Sequence, residues 1–168
     1  MFQVGSCPMP ADVVFMLDAS RSIRDGDFNK VLVFVDGVAR LLGTSRACTR
    51  VGVLTFSDVT RVAFHLAESR TAAAISEAIM SVSPPAARGQ TNTAAALRAL
   101  REQMFRRERG DRPGVPNVGV LVTDGFSSVG TEPTLAAATE ARRRGLLLFG
   151  VGVGIDDSDE LDWITQDA

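Results

Sequence analysis

The chain holds 168 residues, 45% of them hydrophobic and 23% charged, with a formal net charge of −2. This length and composition suit one globular domain with a substantial buried core. The near-balanced charge gives no basis for nucleic acid or an anionic membrane as partner, and no apolar run approaches the roughly 18 residues that a membrane span needs.

In chain order, residues 1–10 read as a lead-in, with neither the basic start nor the long apolar middle of a signal peptide. Ala11–Leu17 is an apolar run of the kind expected from a strand covered on both faces. Phe28, Val31, Leu32, Val35, Val38, Ala39 and Leu42 then follow helical spacing, closed by Gly43. Val51–Phe56 and Arg61–Leu66 flank Ser57-Asp58 and predict an antiparallel hairpin. Ile75, Ala78 and Ile79 mark a short second helix, closed by Pro84-Pro85. A third helix is expected from Thr93 to Arg107, with Ala96, Leu97, Leu100 and Met104 facing inward. After a turn-rich stretch from Gly110 to Pro116 come a central strand, Val118–Val122, and a helix opened near Pro133. Arg142-Arg143-Arg144 ends that helix before Gly145, where cations meet the helix dipole favourably. Leu146–Val151 reads as the last strand and Asp159–Thr165 as a short final helix. Strands alternating with helices predict an α/β fold: a doubly wound, mostly parallel sheet with one antiparallel strand and helices on both faces.

Chemistry concentrates where strands end. Asp18, Ser20 and Ser22 directly follow the first strand and alternate along the chain. In an extended segment or tight loop that spacing puts their oxygens on one side. One carboxylate with two hydroxyls makes a weak nucleophile set but a good partial shell for a hard cation, which takes oxygen ligands and keeps waters. Thr91, in Gly89-Gln90-Thr91-Asn92-Thr93, offers another hydroxyl at a helix start, with Thr93 as a competing ligand. The strand Val118–Val122 leads into Thr123-Asp124-Gly125 and repeats the opening pattern. Parallel sheets bind ligands outside the carboxyl ends of their strands.

The ordered set Asp18-x-Ser20-x-Ser22, Thr91 and Thr123-Asp124-Gly125 resembles the metal-ion-dependent adhesion site of von Willebrand factor A domains. The segments Val51–Asp58 and Leu148–Gly154 are also similar to that family, so the likeness extends from Asp12 to Trp163. It implies Asp18, Ser20, Ser22, Thr91 and Asp124 as metal ligands, with Thr93 left near the helix start as a cap. It implies Mg²⁺ as cofactor, with Mn²⁺ or Ca²⁺ as alternatives. The expected partner is a protein presenting a Glu or Asp to the metal, with collagen or another matrix protein as the candidate class. The expected location is extracellular, as part of a longer secreted precursor. Two other readings stay open: an interaction module that binds through a metal-independent surface, and an intracellular A-type domain of a multiprotein complex. By the same resemblance residues 11–168 form the domain, expected to lack a C-terminal strand and helix, so that the outer edge of Leu146–Val151 is left unpaired.

The two cysteines, Cys7 and Cys48, each precede a predicted strand. Neighbouring parallel strands start at one sheet edge, so the geometry permits a bridge, with two unpaired thiols as the alternative. The family resemblance suggests instead a partner after the last helix, and this sequence has no cysteine there.

Other features read more plainly. Lys30 is the sole lysine among the basic residues, and neither Arg106–Arg109 nor Arg142–Arg144 reads as a binding patch. Asp58 and His65 read as surface residues around the hairpin. Asp156, Asp157 and Asp159 lack the spacing and glycine of an EF-hand loop and read as an acidic helix start. Ser127-Ser128 belong to the rim of the site, with no role assigned. Enzyme readings lack material. Ser20 stands where an aspartyl-phosphate phosphatase needs its second Asp. Gly150-x-Gly-x-Gly154 is not the nucleotide-binding spacing, no Gly-x-Ser-x-Gly elbow occurs, and His65 is the sole histidine.

Overall fold

The computed structural model describes residues 10–44, 47–68, 71–86, 88–155 and 159–166. Five strands form one sheet in the order β3-β2-β1-β4-β5. They are β1 (Asp12–Asp18), β2 (Arg50–Phe56), β3 (Thr60–Phe64), β4 (Asn117–Thr123) and β5 (Leu146–Gly152). All neighbouring pairs are parallel except β2–β3, the expected hairpin. The helices are α1 (Asp25–Leu41), α2 (Ala72–Met80), α3 (Thr93–Ala99), α4 (Thr131–Arg143) and α5 (Asp159–Thr165).

Alternation along β1 explains the two-sided core. Val13, Phe15 and Leu17 pack with Phe28, Val31, Leu32 and Val35 of α1 and Ile75 and Ile79 of α2. Val14 and Met16 face the other way, toward Leu97 of α3, Ala138 and Ala141 of α4, and Leu161 and Ile164 of α5. Every residue of β1 is buried, as the unbroken apolar run requires.

The third helix is shorter than expected. α3 ends at Ala99, and Leu100–Met104 continues as a π-helical turn instead of running on to Arg107. Two strand glycines give this turn its seat. Gly52 and Gly119 flank Val14 in register. A Cβ on Gly119 would lie 2.6 Å from a Leu100 methyl, and one on Gly52 would lie 2.8 Å from the Met104 methyl. Thr93 is not the cap either: Asn92 is, accepting the Ala95 N–H at 3.0 Å. Thr93 is itself buried, and its hydroxyl has no hydrogen bond among the described residues.

At the amino end of the sheet, Arg112 from the turn-rich segment pairs with the fully buried Asp12. Its backbone N–H and Nε donate to the two carboxylate oxygens at 2.8 Å each, and further guanidinium N–H groups reach the carbonyls of Ala11, Ala47 and Cys48. Cys48 is disulfide-bonded, which sets aside the reading in which it is an unpaired thiol. Cys7 lies outside the described residues, as do Asp156 and Asp157. Arg142 donates to the carbonyl of Ile164 and Arg144 pairs with Glu140, so two members of that arginine run are engaged within the fold.

The outer edge of β5 is unpaired within the described sheet. Leu147 and Phe149 point outward there and, with Val118, Val120, Leu41 and Leu42, line an apolar groove of about 560 Å³. Among the described residues, no helix is long and apolar enough to cross a membrane.

Candidate metal centre

The sheet's topology fixes the place. From β1 the chain winds toward β2 and β3, then crosses back to β4 and β5 on the other side. β1 and β4 are therefore adjacent strands whose connections leave in opposite directions, and a crevice opens outside their carboxyl ends. Asp18 is the last residue of β1, and Asp124 follows the last residue of β4.

Asp18 is fully buried and held at both oxygens. One accepts the Ser20 N–H at 2.8 Å and the other accepts the Thr123 hydroxyl at 2.6 Å. Burial pushes the Asp18 carboxyl up from its ordinary value; hydrogen bonds from Thr123 and Ser20 partly offset the rise, and the neighbouring Asp124 charge adds to it. From Ser20 a relay of oxygens leads outward. Its hydroxyl lies 3.0 Å from the Ser22 hydroxyl, which donates to Asp124 at 2.9 Å. Ser20 and Ser22 share a shallow cavity of about 240 Å³ with Thr91, Arg21, Gly89, Gln90 and Ser128. Hydrogen bonds thus join the side chains of Ser20, Ser22 and Asp124, Asp18 is tied to them through the Ser20 N–H, and Thr91 shares a cavity with the two serines.

Backbone clamps hold the contributing loops. The Ala19 N–H bonds the carbonyl of Phe56, and the Arg21 N–H that of Gly89. Arg88 ties the second loop to the first through the Ile23 carbonyl and Asp25. Asp58 is exposed, as expected for a surface residue, yet it accepts the Gln90 N–H at 2.8 Å. That carboxylate lies so close to Gly89 that a Cβ there would sit 1.8 Å from Oδ2. Ser128 grips Thr91 from the other side. Its N–H donates to the Thr91 carbonyl at 2.7 Å, and its hydroxyl accepts the Thr91 N–H at 2.7 Å. Behind it, the buried carboxylate of Glu160 on α5 accepts the Ser127 N–H at 2.9 and 3.1 Å.

Asp58, Thr123, Ser127 and Ser128 hold the loops of the site without having been assigned that role from sequence. Thr123 stood inside the quoted motif beside Asp124, and Ser127-Ser128 were placed on the rim of the site by their position after it. The rest act largely through main-chain groups, which residue spacing does not display. His65 is half-buried and lines a separate surface groove with Val62, Glu102, Arg106 and Arg109. Burial holds its imidazole below the ordinary range, and the Arg109 charge adds to this.

The donor set is oxygen alone: two carboxylates and three hydroxyls. Among the described residues no three His, Cys, Asp or Glu side chains group as a metal-binding set, so a cation here depends on the hydroxyls. That chemistry fits a hard divalent ion and suits a soft one poorly.

The family model for the von Willebrand factor type A domain matches residues 12–168. Matrilin-3 of Gallus gallus is 34% identical over 155 residues, covering 90% of this chain and 33% of matrilin-3. The collagen alpha-6(VI) chain of Mus musculus is 35% identical over 161 residues, covering 95% of this chain and 7% of its own length. The chain thus spans a third or less of the length of these two relatives. Among solved structures, proximal thread matrix protein 1 of the mussel byssus superposes with a TM-score of 0.87 at 26% identity, over 95% of this chain and 42% of that one. A second structure of that protein, with a zinc-occupied MIDAS motif, superposes with a TM-score of 0.85 at 27% identity, with the same coverage.

Proposed function

This chain belongs to the von Willebrand factor type A domain family, and on that premise we propose that it is a binding module that holds a divalent cation and uses it to capture a protein partner. Asp18, Ser20, Ser22, Thr91 and Asp124 would hold the ion. Mg²⁺ is the first choice for an all-oxygen set with room for waters, with Mn²⁺ and Ca²⁺ as alternatives. The observation that carries the reading is the oxygen relay from Ser20 through Ser22 to Asp124, with Thr91 lining the same cavity.

When bound, the cation supplies a positive centre that a Glu or Asp carboxylate of the partner can ligate. The protein's own groups prepare for this. Asp18 is a buried carboxyl group locked by Ser20 and Thr123, so its position is set before any ligand arrives. Asp124 and Ser22 stand nearer the surface, where an incoming group meets them. Arg21 and Gln90 are exposed on the rim of the cavity, within reach of an acidic or polar segment. His65, the sole histidine, does not line this cavity.

The partner class we propose is collagen or another matrix protein, and the location extracellular. Support comes from relatives that include a collagen chain and a thread matrix protein. The test is adhesion of the chain to a panel of immobilised collagens and matrix proteins. Binding should disappear with chelator and return with added Mg²⁺. Binding that persists in chelator would favour a metal-independent surface.

A further inference from the structure

The carboxylate of Glu160, on α5, is buried among apolar neighbours of the core. It is 5% exposed, and no Arg, Lys or His forms an ion pair with it among the described residues. Burial raises its pKa above the ordinary carboxylate value, with the Ser127 N–H as the sole group opposing the rise. Burying an acid without a counter-charge is costly unless hydrogen bonds satisfy its oxygens. Both oxygens of this one converge on a single donor, the Ser127 N–H.

Ser127 leads directly to the site. Its hydroxyl bonds the Thr91 carbonyl at 3.3 Å, and Ser128 holds both the carbonyl and the N–H of Thr91. Three residues before Ser127 comes Asp124. The other end of the linkage is firm: α5 seats Leu161 and Ile164 in the core, and Arg142 holds the Ile164 carbonyl. We propose that Glu160 is a positioning residue of the cation site, fixing through the Ser127 amide the loop that carries Asp124 and clamps Thr91. This deepens the cation-binding reading and rests on it for the affinity arm of the test; the exchange arm stands without it.

The experiment compares wild type, Glu160→Ala, Glu160→Asp and Glu160→Gln by amide hydrogen exchange in cation-free protein and by calorimetric titration with Mn²⁺ alone. Glu160→Ala should speed exchange at the Ser127 and Thr91 amides by about tenfold, with Val14 and Val120 unchanged, and weaken Mn²⁺ binding by about tenfold, as loss of an outer-shell partner does. Glu160→Gln keeps an acceptor and should recover most of the protection. Glu160→Asp withdraws the carboxylate by one methylene and should fall between them; it carries the test should the alanine variant not fold. Faster exchange at Ser127 with Thr91 unchanged would overturn the linkage, as would acceleration spread equally over Val14 and Val120. Unchanged Mn²⁺ affinity in Glu160→Ala would overturn the positioning role. Absence of Mn²⁺ binding in wild type would refute the cation-binding reading instead, with the exchange data still deciding whether Glu160 holds the loop.

Discussion

The Ser22 hydroxyl donates to Asp124 across 2.9 Å and 102 positions of sequence. The bond joins the loop after β1 to the loop after β4, and it exists because those strands are neighbours with connections leaving in opposite directions. It also brings a second carboxylate toward the buried Asp18, whose pKa the Asp124 charge helps to raise. Two acids held together by hydroxyls form an arrangement that a divalent cation would relieve.

The pH dependence follows from Asp18. Its native pKa is raised above the ordinary 3.8, chiefly by burial, so between the two values the native state binds more protons than the unfolded state. Its contribution to stability is full below the unfolded pKa and is lost as pH rises through the native one. In chelator, wild type should therefore lose stability relative to Asp18→Asn as pH rises above the ordinary carboxyl value of 3.8. The substitution is tolerable because an amide can donate to the Thr123 hydroxyl, whose own proton can then go to the Gly125 carbonyl 3.1 Å away. Urea denaturation across that rise in pH checks the sign. Parallel profiles for the two proteins would refute it, and added Mg²⁺ should restore wild type alone.

Gly89→Ala places a Cβ where the Asp58 carboxylate now sits. The side chain can swing aside, but the Gln90 N–H then loses its partner. A loss of about 1 kcal/mol in stability is expected, with weaker cation binding because Thr91 lies two residues on. Asp58→Ala removes the same bond, so the double variant should be little worse than either single one. Strict additivity in denaturation would show that the two residues act separately.

Arg112→Ala tests the opposite pole. It leaves Asp12 buried without its cation, and loss of one partner of a buried pair costs about 3–5 kcal/mol. Asp12 and Asp18 occupy opposite ends of β1, so cation affinity should not change in whatever fraction stays folded. A large drop in affinity without loss of stability would contradict this separation.

Much of this was legible because it is written locally. Unbroken apolar runs marked β1 and β4, alternation set Ser20 and Ser22 beside Asp18, and Gly43 and Gly145 marked helix ends. The limits have physical reasons. Leu97, Leu100 and Met104 face the sheet whether the turn closes as α or π, so the pattern could not reveal that α3 stops at Ala99. Asn92 and Thr93 are adjacent and both suited to capping, and packing decided between them by burying Thr93. Asp58 and Glu160 act on the amides of Gln90 and Ser127, contacts that appear only once distant segments have folded together.

The most direct test of the central claim is calorimetric titration of Mg²⁺ into the chain and into Asp18→Ala and Asp124→Ala. The account predicts one equivalent bound by wild type. Each variant should be weakened by at least about a hundredfold, because charge balance at the ion depends on both carboxylates, while retaining a cooperative melting transition. Unchanged affinity in either variant, or no binding by wild type, would contradict it.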